Sequence, residues 1–247
     1  MASPPSSALA GTAVSAVALA GVVDTLARTL PVPAPTAQAA IAKARYITVI
    51  AAPGITTLGD VAAVAAGLIG AVQALARDAA PADASAGLYA AAAATQACAP
   101  TSASPALTQA YALARALCVG VEAACLGEAF LAEARTDFAD RQSAVAARQR
   151  IAVAMDGATD RVAAALGQAT LDTLNTAARQ ASTFLMAELA TLRPIARVRT
   201  ARSMPAMALA WALYRNPARA TELVARNRVA TPFFMPTILE AVTPDAN

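Results

Sequence analysis

The chain has 247 residues and a net charge of +3, and 57% of its residues are apolar while only 4% are aromatic. That length can bury a real core in one or two domains. Histidine is absent, which removes the commonest general base and metal ligand and, with it, any Ser-His-Asp or Cys-His centre. Alanine supplies much of the apolar content; it favours helix but buries little area per residue. Helices built this way pack closely or lean on partners for the burial they lack.

Residues 1–35 read as an N-terminal helix and a Pro-rich linker. Ser3–Ser7 is a polar start, a helix is expected from Ser7 to Leu30, and Pro31-Val32-Pro33-Ala34-Pro35 is a stiff extended boundary. The apolar run Ala8–Val23 has no Lys or Arg before it and is short for a membrane span. Gly11, Gly21 and the many alanines predict close helix packing there, against protein and not lipid.

Residues 36–104 read as an Ala-rich helical region. Tyr46–Ala51 (YITVIA) is β-branched and aromatic, a candidate short strand, and Pro53-Gly54 is a turn signal. Thr57 precedes a long apolar helix, Leu58 to Arg77, and Val61–Leu75 within it carries no charge. A monomer would have to bury such a helix on every side, so contact with neighbouring subunits is expected. Leu88–Ala99, bracketed by prolines, reads as one short helix.

Residues 105–192 read as a three-helix bundle. Ser104-Pro105 is a helix start. Leu107, Tyr111, Ala114, Cys118, Val121 and Cys125 alternate by four and three, a coiled-coil-like seam. A second helix is expected after Thr136-Asp137, with Phe138, Val145, Ile151 and Met155, and a break or bend at Asp156-Gly157. Leu171, Leu174, Ala178, Ala181 and Leu185 mark the third, which Pro194 ends. Glu122, Glu128, Glu133, Asp137 and Asp140 read as a solvated helical face with Arg135 and Arg141 as counter-charges. A carboxylate pair for glycoside cleavage is the far weaker reading. Cys98, Cys118 and Cys125 show no CxxC spacing and read as buried small hydrophobes, with an intermolecular disulfide as the sharper alternative.

Residues 193–247 carry most of the local punctuation. Ile195–Thr200 can form a strand. Ser203 offers an N-cap before Pro205, and Met207, Trp211 and Tyr214 then share one helical face, Trp211 being expected in the core. Asn216-Pro217 starts a second helix anchored by Leu223 and Val224, and Asn227 can close it in the left-handed conformation. Thr231-Pro232 and Pro236 lead into a second strand, Thr237–Val242. The fold class is therefore mainly α: an Ala-rich helical bundle with a small C-terminal strand-helix-helix-strand module. Residues 193–247 hold 8 Arg against Glu222, Glu240 and Asp245, whereas residues 1–192 hold 11 basic and 13 acidic groups. Arg215, Arg219, Arg226 and Arg228, with Phe233 and Phe234, are the candidate partner-binding residues, because Arg makes bidentate bonds suited to interfaces and successive side chains of an extended Phe-Phe pair cannot both turn inward.

Tyr214–Arg219 (YRNPAR), Leu223–Val229 (LVARNRV), Pro232 and Pro236, preceded by Met204–Tyr214, resemble the carboxy-terminal end of the phage DNA circularisation proteins. These are tail and baseplate proteins of Mu-like and related phages. The resemblance covers roughly the last 130 residues. The same end resembles a degenerate LysM module, with Thr237 after Pro236 where such modules usually carry glycine. Nothing before Thr36 looks like the β-rich amino-terminal domain of the larger family members. The resemblance implies a structural virion protein of the tail baseplate, an adaptor between central hub and surrounding parts. It would act in several copies in a symmetric assembly with other tail proteins, be made in the host cytoplasm, and touch no membrane once assembled. Alternatives are a peptidoglycan-binding LysM-type module and a nucleic-acid binder. No nucleotide loop, zinc spacing or nucleophile elbow is present, so neither catalysis, cofactor nor metal is expected.

Overall fold

The computed structural model describes residues 5–243. The fold is mainly helical, with ten α-helices and a two-stranded sheet among those residues. The chain divides into two compact units: Met1–Thr136 with Arg148–Phe184, and Asp137–Ala147 with Leu185–Asn247.

The larger unit begins with α1 (Ser6–Thr29), within one residue at each end of its expected span. α2 (Ala34–Tyr46) opens on Pro35 in its first turn. The expected strand at Tyr46–Ala51 is instead a π-helical turn, Ile47–Ala51, continuing α2. A strand needs a neighbouring strand to satisfy its backbone, and none lies here; the helix satisfies itself, with the Ala52 N–H reaching the Ile47 carbonyl at 2.8 Å. Ile47 turns inward at 1% exposure while Val49 and Ile50 stay outside.

α3 (Leu58–Asp78) starts on a full capping box: the Thr57 hydroxyl accepts from the Asp60 N–H and the Asp60 carboxylate accepts from the Thr57 N–H. It buries Val64, Leu68, Val72 and Leu75 along one side only. Ala62, Ala63, Ala66, Gly70 and Ala74 face outward. Most large residues from Val61 to Leu75 lie on the packed stripe, and small residues line most of the exposed one. α1 and α3 are each long and apolar enough to cross a membrane by length and composition; Leu19, Val23, Leu26, Val64, Leu68 and Leu75 are buried in this unit, while Val14, Val17 and Leu58 are exposed.

α4 (Pro81–Gln96) is longer than the expected Leu88–Ala99 and ends sooner, because Pro81 opens a helix as well as bounding a loop. It passes so near the end of α1 that a Cβ on Gly87 would sit 2.7 Å from Leu30 Cδ2. α5 (Pro105–Ala110) runs into α6 (Ala112–Ala134) with a kink at Tyr111. α6 is the hub of this unit and packs on α1, α3 and α4. The seam residues Ala114, Cys118, Val121 and Cys125 are each at most 1% exposed, whereas Leu107, before the kink, is 46% exposed. All three cysteines are free; burial pushes the Cys118 thiol up to about 11 and the Cys125 thiol up to about 12, so both stay protonated.

α7 (Arg141–Leu166) is continuous in its helical assignment through Asp156-Gly157, so the break expected there does not occur. The break falls at Gly167, with φ +83°, before α8 (Gln168–Thr191). Leu171, Leu174, Ala178, Ala181 and Leu185 on α8 are all buried, as their spacing predicts.

Two of the three acidic residues of α6 are not part of a solvated face, while Glu128 is half-buried with Arg135 and Arg77 as its counter-charges. Glu122 and Glu133 are 2% and 1% exposed. Glu122 pairs with Arg161 at 2.5 Å and Glu133 with Arg150 at 2.7 Å. The two glutamates are eleven residues apart on α6 and the two arginines eleven apart on α7, in opposite order. Eleven residues are close to three turns, so both pairs fall on one face of each helix and set an antiparallel register. A shift by one turn would strand two buried carboxylates, which is far costlier than the pairs are stabilising.

Candidate partner-binding surface

The smaller unit carries the strand-helix-helix-strand order. β1 (Ile195–Arg199) pairs antiparallel with β2 (Ile238–Val242), with Val198 opposite Leu239. Between them lie α9 (Ala206–Tyr214), a 3-10 turn (Pro217–Arg219) and α10 (Ala220–Arg226). The core is Ala206, Leu209, Ala210, Leu223, Met235, Leu239 and Ala241.

α9 turns its small face inward. Trp211, expected in the core, is 53% exposed, and Met207 on the same face is 63% exposed. The inward stripe Ala206-Leu209-Ala210 is about 100° round the helix, and its alanines let the backbone lie close to the sheet. Ser203 does not cap α9; Pro205 holds the N-cap position and the Ser203 hydroxyl donates to the Met235 carbonyl at 2.8 Å. Arg215 closes α9 at φ +56°. Asn216 then caps the next turn, its side-chain oxygen accepting from the Ala218 N–H at 3.0 Å.

Asn227 is not the left-handed residue after α10; Arg228 is, at φ +50°, while Asn227 stays at φ −89°. Its amide is needed elsewhere. Asn227 accepts from the Glu240 N–H at 2.8 Å and donates to the Glu240 and Leu223 carbonyls at 2.9 Å each, so it pins β2 to α10.

The four arginines separate by surroundings. Arg226 is only 11% exposed and bonds the Asp140 carboxylate at 2.9 Å and Glu222 at 3.5 Å. It is an internal strut, not the exposed contact the sequence suggested. Arg219 is half-buried, pairs with Glu222 at 2.7 Å and lies 3.9 Å over the Tyr214 ring. Arg215 and Arg228 are exposed, with no carboxylate within salt-bridge distance among the described residues.

Asp140, expected on a solvated face, is buried at 4% exposure, and its role is what sequence reasoning missed. It accepts from the Ser143 N–H at 2.8 Å, capping α7, which therefore starts at Arg141 and leaves Phe138 outside the helix. Asp three residues before Ser at a helix start was the available signal. Burial alone would raise the Asp140 carboxyl, but hydrogen bonds from Arg226 and Ser143 outweigh it and hold it below the usual carboxylate range. Gln142, next along, bonds both backbone groups of Ile195, at 2.9 and 3.3 Å, and fixes the start of β1.

Phe233 and Phe234 both point outward, at 67% and 72% exposure. Their loop is tied to the start of α9: the Ala206 N–H donates to the Pro232 carbonyl at 2.7 Å and the Met235 N–H to the Met204 carbonyl at 3.0 Å. The two phenylalanines therefore project from a braced segment. No group of three or more Cys, Asp or Glu among the described residues could hold a metal ion. No family model matches the chain, and no curated protein matches it.

Proposed function

We propose that this is a structural assembly protein that works by docking the exposed face of its C-terminal module on a partner. One observation carries this reading: Met207, Trp211, Phe233 and Phe234 stand more than half exposed on a braced framework, in a unit that also presents Arg215 and Arg228 without carboxylate partners. Aromatics, Met and Arg are the side chains enriched at protein interfaces, and exposed apolar clusters mark sites that become covered. The resemblance of roughly the last 130 residues supports a specific assembly: a bacteriophage tail baseplate, with this chain as an adaptor between hub and surrounding parts. The partner is then another tail protein, met in several symmetry-related copies.

The test is complementation of a phage lacking this protein with the Trp211→Ser/Phe234→Ser chain. Both positions are exposed, so the far-ultraviolet circular dichroism and melting temperature should match the parent. Incorporation into particles should fall at least tenfold. Full incorporation with the fold intact would overturn the reading. A second reading, peptidoglycan binding, is favoured by the exposed Trp211 ring, which could stack on a sugar. Trp211-dependent sedimentation with purified murein would select it.

A further inference from the structure

The larger unit holds a cavity that the assembly role does not use. Its volume is about 370 Å³, within the range of small-molecule sites. The end of α4, one side of α6 and the C-terminal part of α7 wall it. Its polar floor is Glu122, which accepts from Gln96 Nε2 at 2.9 Å and from Arg161 at 2.5 and 3.3 Å. Both carboxylate oxygens are taken, and Arg161 cancels the charge.

Arg115 lines the same cavity and is not cancelled. It donates to the Thr108 carbonyl, and no carboxylate lies within salt-bridge distance of it among the described residues. The charged lining is thus two guanidiniums against one carboxylate. Cys118, also in the wall, adds no charge near neutral pH, because burial keeps its thiol protonated. The rest of the wall is Val119 and alanines, Ala164 among them at the exposed rim.

We propose that this cavity binds a small organic monoanion, its carboxylate paired with Arg115 and its apolar body laid against Val119 and the alanine wall. An organic cation would meet the surplus positive charge. A neutral apolar molecule would leave the Arg115 charge without an anion at a site it desolvates. A carboxylate matches the planar fork of Arg, and an apolar chain matches the wall. This inference is independent of the docking role of the C-terminal module.

Calorimetric titration of the full chain with octanoate, octylammonium and octanol tests it. The expected result is saturable one-to-one binding of octanoate, at least tenfold tighter than either of the other two, and weakened at least tenfold by Arg115→Gln. Because Arg115 also holds the Thr108 carbonyl, Ala164→Phe provides a second variant, filling the cavity from its exposed rim. It should abolish octanoate binding with unchanged circular dichroism. Absence of saturable octanoate binding at millimolar concentration overturns the proposal. So does equal binding of octylammonium or octanol, or octanoate affinity unchanged in either folded variant.

Discussion

Arg226 and Arg228 are two residues apart and have opposite roles. Arg226 neutralises Asp140, whose side chain is 5% exposed, and removing one partner of a buried pair leaves a charge that water cannot reach. Arg226→Ala is therefore expected to destabilise the smaller unit by about 3 kcal/mol. Arg228→Ala, at an exposed position, should change stability by less than about 0.5 kcal/mol. Urea melts of the two variants check the contrast; equal midpoints would refute it. Acid should expose the same strut. The folded Asp140 carboxyl lies below its ordinary value, so the pair's contribution is fully present above about pH 4 and is lost as pH falls through the folded value. The sequence displayed the arginines but not this division of labour. Charge counts along a chain say which residues are basic, and only the fold says that Asp140, 86 positions before Arg226, is the partner. The same blindness hid the Glu122–Arg161 and Glu133–Arg150 pairs. Sequence neighbourhood offers Arg135 and Arg141 as counter-charges for the acidic cluster as a whole, whereas Glu122 and Glu133 find their partners a helix away.

Helix existence was legible element by element, while helix breaks and faces were less so. Thr57 before Leu58 marked the start of α3, and Asn216-Pro217 marked a capped 3-10 turn that leads into α10 at Ala220, because such start signals are local. The β-branched run at Tyr46–Ala51 misled, because strand propensity measures fit to a sheet and no sheet is present there. Gly157 and Gly167 look alike in sequence, yet only Gly167 has positive φ, and a Cβ at Gly157 would meet nothing within 4 Å. Gly157→Ala should therefore stabilise the chain by about 0.5–1 kcal/mol by removing unfolded-state freedom within a helix. Gly167→Ala should destabilise it by about 1 kcal/mol, since an L side chain strains that backbone. Paired thermal melts give the signs, and stabilisation by Gly167→Ala would place the helix boundary elsewhere. The face of α9 was read wrongly for a related reason. Large residues at helical spacing suggest a core stripe, but here alanines pack and Trp211 remains outside.

At the scale of the whole chain, the C-terminal module is continuous in its strands but not in its stabilising contacts. The compact unit that contains it also includes Asp137–Ala147, almost fifty residues upstream of β1. Asp140 supplies the partner of Arg226, Gln142 bonds both backbone groups of Ile195, and the Arg141 N–H donates to the Arg193 carbonyl at 3.0 Å. A core of seven buried residues, three of them alanines, releases little apolar surface from water. The module should therefore depend on those upstream contacts. A fragment of residues 193–247 is expected to show broad, non-cooperative melting and poorly dispersed amide resonances. A chain truncated before residue 137 that keeps residues 137–247 should recover dispersed signals from β1, β2 and Leu223. In the full chain, Asp140→Ala together with Gln142→Ala should lower the melting temperature of the module, followed through Trp211 fluorescence. If the 193–247 fragment instead melts cooperatively at the temperature of the intact chain, the module stands alone and Asp140 contributes only the cap of α7.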